Sequence, residues 1–232
     1  MKLINFPMLV SLLLTVIMAV SGCGSSAPAT VNNGTPVTSS AFFKLKAGNK
    51  WDYNKTTVVT FSALGVASST TAIASATVTT NASTPAGLTP ILTNGIVTSN
   101  LMINASSDVN TYNAAGVLQG TIPATVGPGT TFTLVSGSMT VACTVVATNV
   151  SVTVPAGTFT NVVQASYTIT AGLPAGTTGS GVIYFSTLAG REIKNTTTLQ
   201  GTINVVVGGI PLTVNATTTA TDDLLPGYIA LP

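Results

Sequence analysis

Few residues in this sequence can do chemistry, and their types narrow what that chemistry could be. There are two thiols, Cys23 and Cys143, and five acids, Asp52, Asp108, Glu192, Asp222 and Asp223, but no histidine. Histidine is the commonest general base and metal ligand near neutral pH, so Ser-His-Asp and Cys-His machinery is not encoded. A paired-carboxylate site for glycoside hydrolysis needs two acids flanking one bond. Asp52, Asp108 and Glu192 are isolated along the chain. Asp222 and Asp223 are neighbours, but on a strand adjacent side chains point to opposite faces. With backbone carbonyls they could begin a calcium site; the plainer reading is a solvated turn before Pro226. Ser180 sits in Gly179-Ser180-Gly181, yet Thr178 breaks the spacing of a nucleophile elbow. No Gly-Lys-Ser or Gly-Lys-Thr phosphate loop occurs. These residues argue against an enzyme and imply neither a metal nor a soluble cofactor.

The thiol with the most telling surroundings is Cys23. Lys2 gives a short positive start, and Ile4 to Val20 is apolar except for Asn5, Pro7, Ser11 and Thr15. Small residues, Ser21 and Gly22, precede the thiol. This is the layout of a cleaved secretory signal over residues 1–22. A retained membrane helix fits less well. The run is about 17 residues, at the short limit for spanning, and no basic cluster follows before Lys44.

Val20-Ser21-Gly22-Cys23 resembles the bacterial lipobox. That resemblance implies a diacylglycerol thioether on Cys23, cleavage just before it, and acylation of the new amine. Two or three acyl chains anchor stably where one binds only marginally. Gly24 follows the thiol rather than Asp, so by the sorting rule of double-membrane bacteria the resemblance implies lipid anchoring at the outer membrane, on a periplasmic or surface face. The covalent lipid is the only cofactor expected, and a membrane is the first expected partner.

Removing 22 of 232 residues leaves 210, with six of the seven basic residues and all five acids. Nucleic-acid binding needs clustered basic charge, and this near-neutral chain offers only Lys44, Lys46, Lys50 and Lys55, which read as solvated lysines. With Cys23 occupied by lipid, Cys143 has no disulfide partner in the chain. It alternates in phase with Val141 and Val145, which predicts a buried, inert thiol. Residues 24–40 are small, polar and turn-forming. They read as a tether over 23–40 that leads into a domain over 41–232.

That domain is rich in Thr, Val, Ala and Ser and poor in helix formers. Val163, Ala165, Tyr167 and Ile169 alternate with polar residues; Ile203, Val205 and Val207 form another apolar row, and Leu212, Val214 and Ala216 a third. Trp51 and Tyr53 share a parity with Val59 and Phe61. Pro-Ala-Gly at 85–87, 155–157 and 174–176, Asn94-Gly95, Gly127-Pro128-Gly129 and Gly208-Gly209 mark reversals. The pattern predicts one all-β domain, a single antiparallel curled sheet (half-barrel, roll or barrel) of roughly ten to twelve strands, with a sandwich as the alternative. Charged residues are 5% of the chain, against about 25% in typical domains, so its faces must be solvated by hydroxyls and amides and its edges are poorly guarded.

Three segments carry a second resemblance. Phe42-Phe43-Lys44-Leu45-Lys46-Ala47-Gly48-Asn49-Lys50-Trp51-Asp52-Tyr53, Val152-Thr153-Val154-Pro155-Ala156-Gly157-Thr158-Phe159, and Tyr184-Phe185-Ser186 followed by Leu188 to Lys194 resemble motifs of uncharacterised exported bacterial all-β proteins, similar to lipoprotein-carrier-like half-barrels. Many of those have Pro where this chain has Lys44. The shared residues are those of turns and core, so the resemblance implies a fold and no catalytic site. Trp51 and Tyr53 read as core, and Arg191 and Glu192 as an exposed strand pair. The function expected is that of a non-enzymatic, membrane-anchored envelope lipoprotein binding an apolar ligand or an envelope partner. A structural or adhesive surface protein using Thr-rich sheet faces is the alternative, and an atypical hydrolase the third. The ligand-binding residues are not identifiable from sequence.

Overall fold

A computed structural model describes residues 34–61, 66–78, 87–113, 115–136, 138–207 and 210–232. The lipobox residues Val20, Ser21, Gly22 and Cys23, most of the tether, and the Gly208-Gly209 reversal lie outside the described residues.

The strands are β1 (Val37–Thr38), β2 (Lys50–Phe61), β3 (Val66–Val78), β4 (Thr89–Thr93), β5 (Ile96–Ile103), β6 (Val109–Tyr112) and β7 (Leu118–Ile122). They continue as β8 (Thr125–Val126), β9 (Thr131–Ser136), β10 (Met139–Val154), β11 (Gly157–Ala171), β12 (Thr178–Ser186), β13 (Arg191–Val207) and β14 (Ile210–Leu224). The described residues contain no α-helix, as their Thr- and Val-rich composition requires. β1 and β8 pair only with each other, and the other twelve strands form one antiparallel sheet.

Eight strands, in the order β3-β2-β14-β13-β12-β11-β10-β9, make the long part of that sheet. All but one of these neighbours follow one another in the chain; β2 and β14 bring the first long strand against the last. The strands β4 to β7 form a wing, attached where Ala76–Val78 pairs with Ile91–Thr93. The sheet curls without closing into a barrel. Its edge strands β7 and β9 approach where a Cβ at Gly120 would strike the Thr133 carbonyl oxygen, but no ladder joins them among the described residues.

Two of the predicted turns show how the chain reverses, while Pro85 and Ala86 of another lie outside the described residues. Asn94 and Gly95 both have positive φ (51° and 81°) in the tight β4–β5 hairpin, the backbone such a turn demands. Pro155-Ala156-Gly157 closes β10 onto β11, with Val154 opposite Gly157.

Along β2, Trp51, Tyr53 and Phe61 point inward and are buried, and on β11 so do Val163, Ala165, Tyr167 and Ile169. All of these except Phe61 join Ile193, Phe185, Leu224 and Cys143 in one core inside the curl. Burial pushes the Cys143 thiol up to about 12, so it is a packed hydrophobe, as its phase predicts. A small second cluster, Phe61 with Val214, lies near the far end of β2 and β14.

The packed body reaches back past the residue-41 boundary read from composition. Val37 and Thr38 pair with Val126 and Thr125, Ser39 is fully buried, and the Thr148 hydroxyl donates to the Thr35 carbonyl. Small polar residues gave no hint of this, because what holds them is pairing with β8, a strand far along the chain.

Candidate functional site

The aromatic end of β2 is a closed structural unit. Trp51 Nε1 donates to the Ala189 carbonyl at 2.9 Å and Tyr53 Oη to the Glu192 carbonyl at 3.0 Å. The Arg191 guanidinium lies 5.4 Å from the Trp51 ring centre and pairs with Glu192 at 2.8 Å. Arg191 and Glu192 are therefore not the exposed pair expected: each side chain is 16% accessible. The cause is a register shift at Tyr184/Phe185, which interrupts the alternation that would have left one of them outside. Trp51 and Tyr53 are core, as expected.

Two residues further along β2 the interior becomes polar. Asn195, Asp222, Lys55 and Ala72 lie directly opposite one another on β13, β14, β2 and β3. Lys55 and Asp222 form an ion pair at 3.6 Å with side chains only 6% and 1% accessible. Burial lowers the Lys55 pKa, opposed by the Asp222 carboxylate beside it. Asn195 is 2% exposed, and its Oδ1 has no hydrogen-bond partner in the protein; nor does the Oγ1 of buried Thr197. Two expectations are corrected here. Lys55 is not a solvated lysine, because it shares the inward parity of Trp51 and Tyr53. Asp222 and Asp223 are not a turn before Pro226: both lie in β14, Asp222 inward and Asp223 outward against Lys194 at 3.1 Å. Sequence reasoning missed this cluster, although the β2 alternation carried the signal for Lys55.

The remaining candidates are scattered. Asp108 closes a loop, accepting from Asn104 Nδ2 and from the Ala124 amide. Asp52 pairs with Lys50 at 2.8 Å. Lys44 donates to the carbonyls of Leu188 and Ala230. Ser180 is exposed on β12. Among the described residues no three His, Cys, Asp or Glu side chains are grouped as metal ligands. Among the described residues the inner face carries a packed cluster of the chain's own side chains, Trp51, Tyr53, Tyr167, Ile183 and Phe185 among them.

The outer face is different in kind. Register places Thr131, Thr144, Ser166, Val182, Thr196, Thr221, Thr56 and Thr71 in one row across eight strands. One step along the strands lies a second row, Thr133, Ala142, Thr168, Ser180, Thr198, Thr219, Val58 and Ser69. Neither row carries a charge. Hydroxyls thus recur about 5 Å apart across strands and about 7 Å along them. Over β10 to β13 the face dips into a shallow depression of 420 Å³, lined by Thr144, Ser166, Thr168, Ser180, Thr198 and Gln200 together with Ala142, Tyr167, Gly181 and Val182. The chain matches no known protein family, no curated protein and no solved structure.

Proposed function

We propose that this is a lipid-anchored, non-enzymatic protein of the bacterial cell envelope that holds a neutral polysaccharide on the outer face of its long sheet. The observation that carries the reading is the uncharged double row, broken as a row of hydroxyls only at Val182, Ala142 and Val58, with its depression over β10 to β13. Each hydroxyl both donates and accepts, which suits a ligand that is itself dense in hydroxyls. A protein partner would be expected to meet Trp, Tyr or Arg anchors at the centre of the contact, and the one such residue among the lining, Tyr167, is buried in the core. A charged partner would find no counter-charge in either row. Because core side chains pack along the inner face of the described residues, the outer face is where we place the partner. The lipobox-like Cys23 supports anchoring through acyl chains, with the domain displayed on its short tether.

The test is depletion of the purified full chain from solution by insoluble neutral glucan and mannan, with a carboxymethylated glucan alongside. Depletion by the neutral polymers, lost in Thr144→Ala/Ser166→Ala/Thr198→Ala, is expected. Binding only to the charged polymer, or unaltered binding by the triple variant, would overturn the reading. Anchoring is tested separately: Cys23→Ser is expected to move the protein out of the membrane fraction, and retention there would contradict a lipid anchor.

A further inference from the structure

The buried row of Lys55, Asp222 and Asn195 holds the three groups needed to join two strands covalently. On β14, Asp222 stands between Lys55 of β2 on one side and Asn195 of β13 on the other, each directly opposite it. The Lys55 side chain already leans across to β14, with Nζ 3.6 Å from Asp222 Oδ1, and this is the direction in which Asn195 lies. All three residues are at most 5% exposed, so water is largely kept from competing for the amide. The Asn195 carbonyl oxygen is buried and accepts no hydrogen bond from the protein, which leaves it free to take a proton as the carbon is attacked.

We propose that Lys55 and Asn195 form an intramolecular amide cross-link, with Asp222 as the proton carrier. Asp222 takes a proton from the Lys55 ammonium, and the neutral Nζ attacks Asn195 Cγ. The Asp222 carboxyl lends its proton to the carbonyl oxygen as the tetrahedral centre forms, then takes the extra proton from Nζ and delivers it to Nδ2, and the hydroxyl proton returns to Asp222 as the carbonyl re-forms. The Nζ–Cγ bond forms, the Cγ–Nδ2 bond breaks, and ammonia leaves with no oxidant or reductant required. Burial lowers the Lys55 pKa, which makes the neutral amine easier to reach. The carboxylate stands beside the amine, 3.6 Å from Nζ, and opposite Asn195 in the ladder, which is the place of a general acid and base.

The link has a mechanical use. β2 is the first long strand after the tether, and β14 already joins it to β13 by hydrogen bonds. A covalent bridge over β14 would pass a pull on an N-terminal anchor directly into the C-terminal hairpin.

Intact mass of the purified full chain tests this. Wild type is expected lighter than its sequence plus lipid by one ammonia, with fragmentation placing the branch between Lys55 and Asn195. Lys55→Arg, which keeps the cation, and Asn195→Ala are both expected at full mass. Asp222→Asn is expected at full mass while remaining folded by circular dichroism; if it is unfolded, Lys55→Arg and Asn195→Ala decide. A full-mass wild type overturns the proposal. So does an ammonia loss that persists in Asn195→Ala, which would point to ring closure at an Asn-Gly pair such as Asn94-Gly95. Loss of one water instead would assign the bond to Lys55 and Asp222 and would also refute it.

Discussion

On β14, Thr217, Thr219 and Thr221 face outward and stay partly open to solvent, while Thr218, Ala220 and Asp222, each one residue away, are buried. The same contrast runs through β13, with Thr196 and Thr198 outside and Asn195 and Thr197 inside. Polar side chains of one type thus do two jobs. Outside, each hydroxyl exchanges partners with solvent at little cost. Inside, an unpaired oxygen loses its hydration with nothing in return. A protein selected for stability alone would place valine at Thr197. Polar groups kept in the interior point to a task there, and the uncharged rows outside point to a different one.

The contrast can be broken from the inside first. In an Asn195→Ala background, where no amide can form, Lys55→Met takes from the buried Asp222 carboxylate its Lys55 partner. A stability loss of about 3–5 kcal/mol in urea unfolding is expected. Adding Asp222→Leu should recover most of it, and an unchanged midpoint for Lys55→Met would mean the pair is solvated. Next in size, Thr197→Val removes a buried hydroxyl at nearly constant shape. It is expected to stabilise by about 1–3 kcal/mol, read from the same unfolding curves. Trp51→Phe should move the other way by a similar amount, about 1–3 kcal/mol, because the Ala189 carbonyl loses its donor.

A pH series probes the buried thiol. Cys143 ionises in the unfolded chain near its ordinary value of 9.0 but only near about 12 when folded. Below pH 9 both states keep the proton, so this group leaves stability unchanged. Between 9 and about 12 the unfolded chain ionises first, so stability falls as pH rises. Cys143→Ala should flatten that slope, and alkylation at pH 8 should require unfolding. The smallest effect belongs to the outside: Thr196→Val and Thr221→Val should each change stability by no more than about 0.5 kcal/mol.

Much of the fold is legible in the sequence because it is local. The alternation of Val163 to Ile169, the phase of Cys143 with Val141 and Val145, and Asn94-Gly95 are each set by residues within one strand or one turn. The buried row is different. Lys55, Asn195 and Asp222 are distant in the chain and meet only through the β2–β14 and β13–β14 registers. Residue type argued for solvent at each position, and only the parity of Lys55 with Trp51 and Tyr53 argued otherwise. Arg191 and Glu192 were misread because a register shift cannot be seen in one strand alone. The outer rows were visible as a Thr-rich composition but not as rows, since those exist only once eight strands are in register.

The two faces of β13 and β14 can be separated in one spectrum. With threonine methyl groups labelled in the full-length protein, titration with a soluble neutral glucan oligosaccharide should shift Thr144, Thr196, Thr198 and Thr221, leave Thr57, Thr197 and Thr218 in place, and have no counterpart with the carboxymethylated oligosaccharide. Shifts confined to the inner threonines, or equal shifts with the charged ligand, would contradict a polysaccharide-binding outer face.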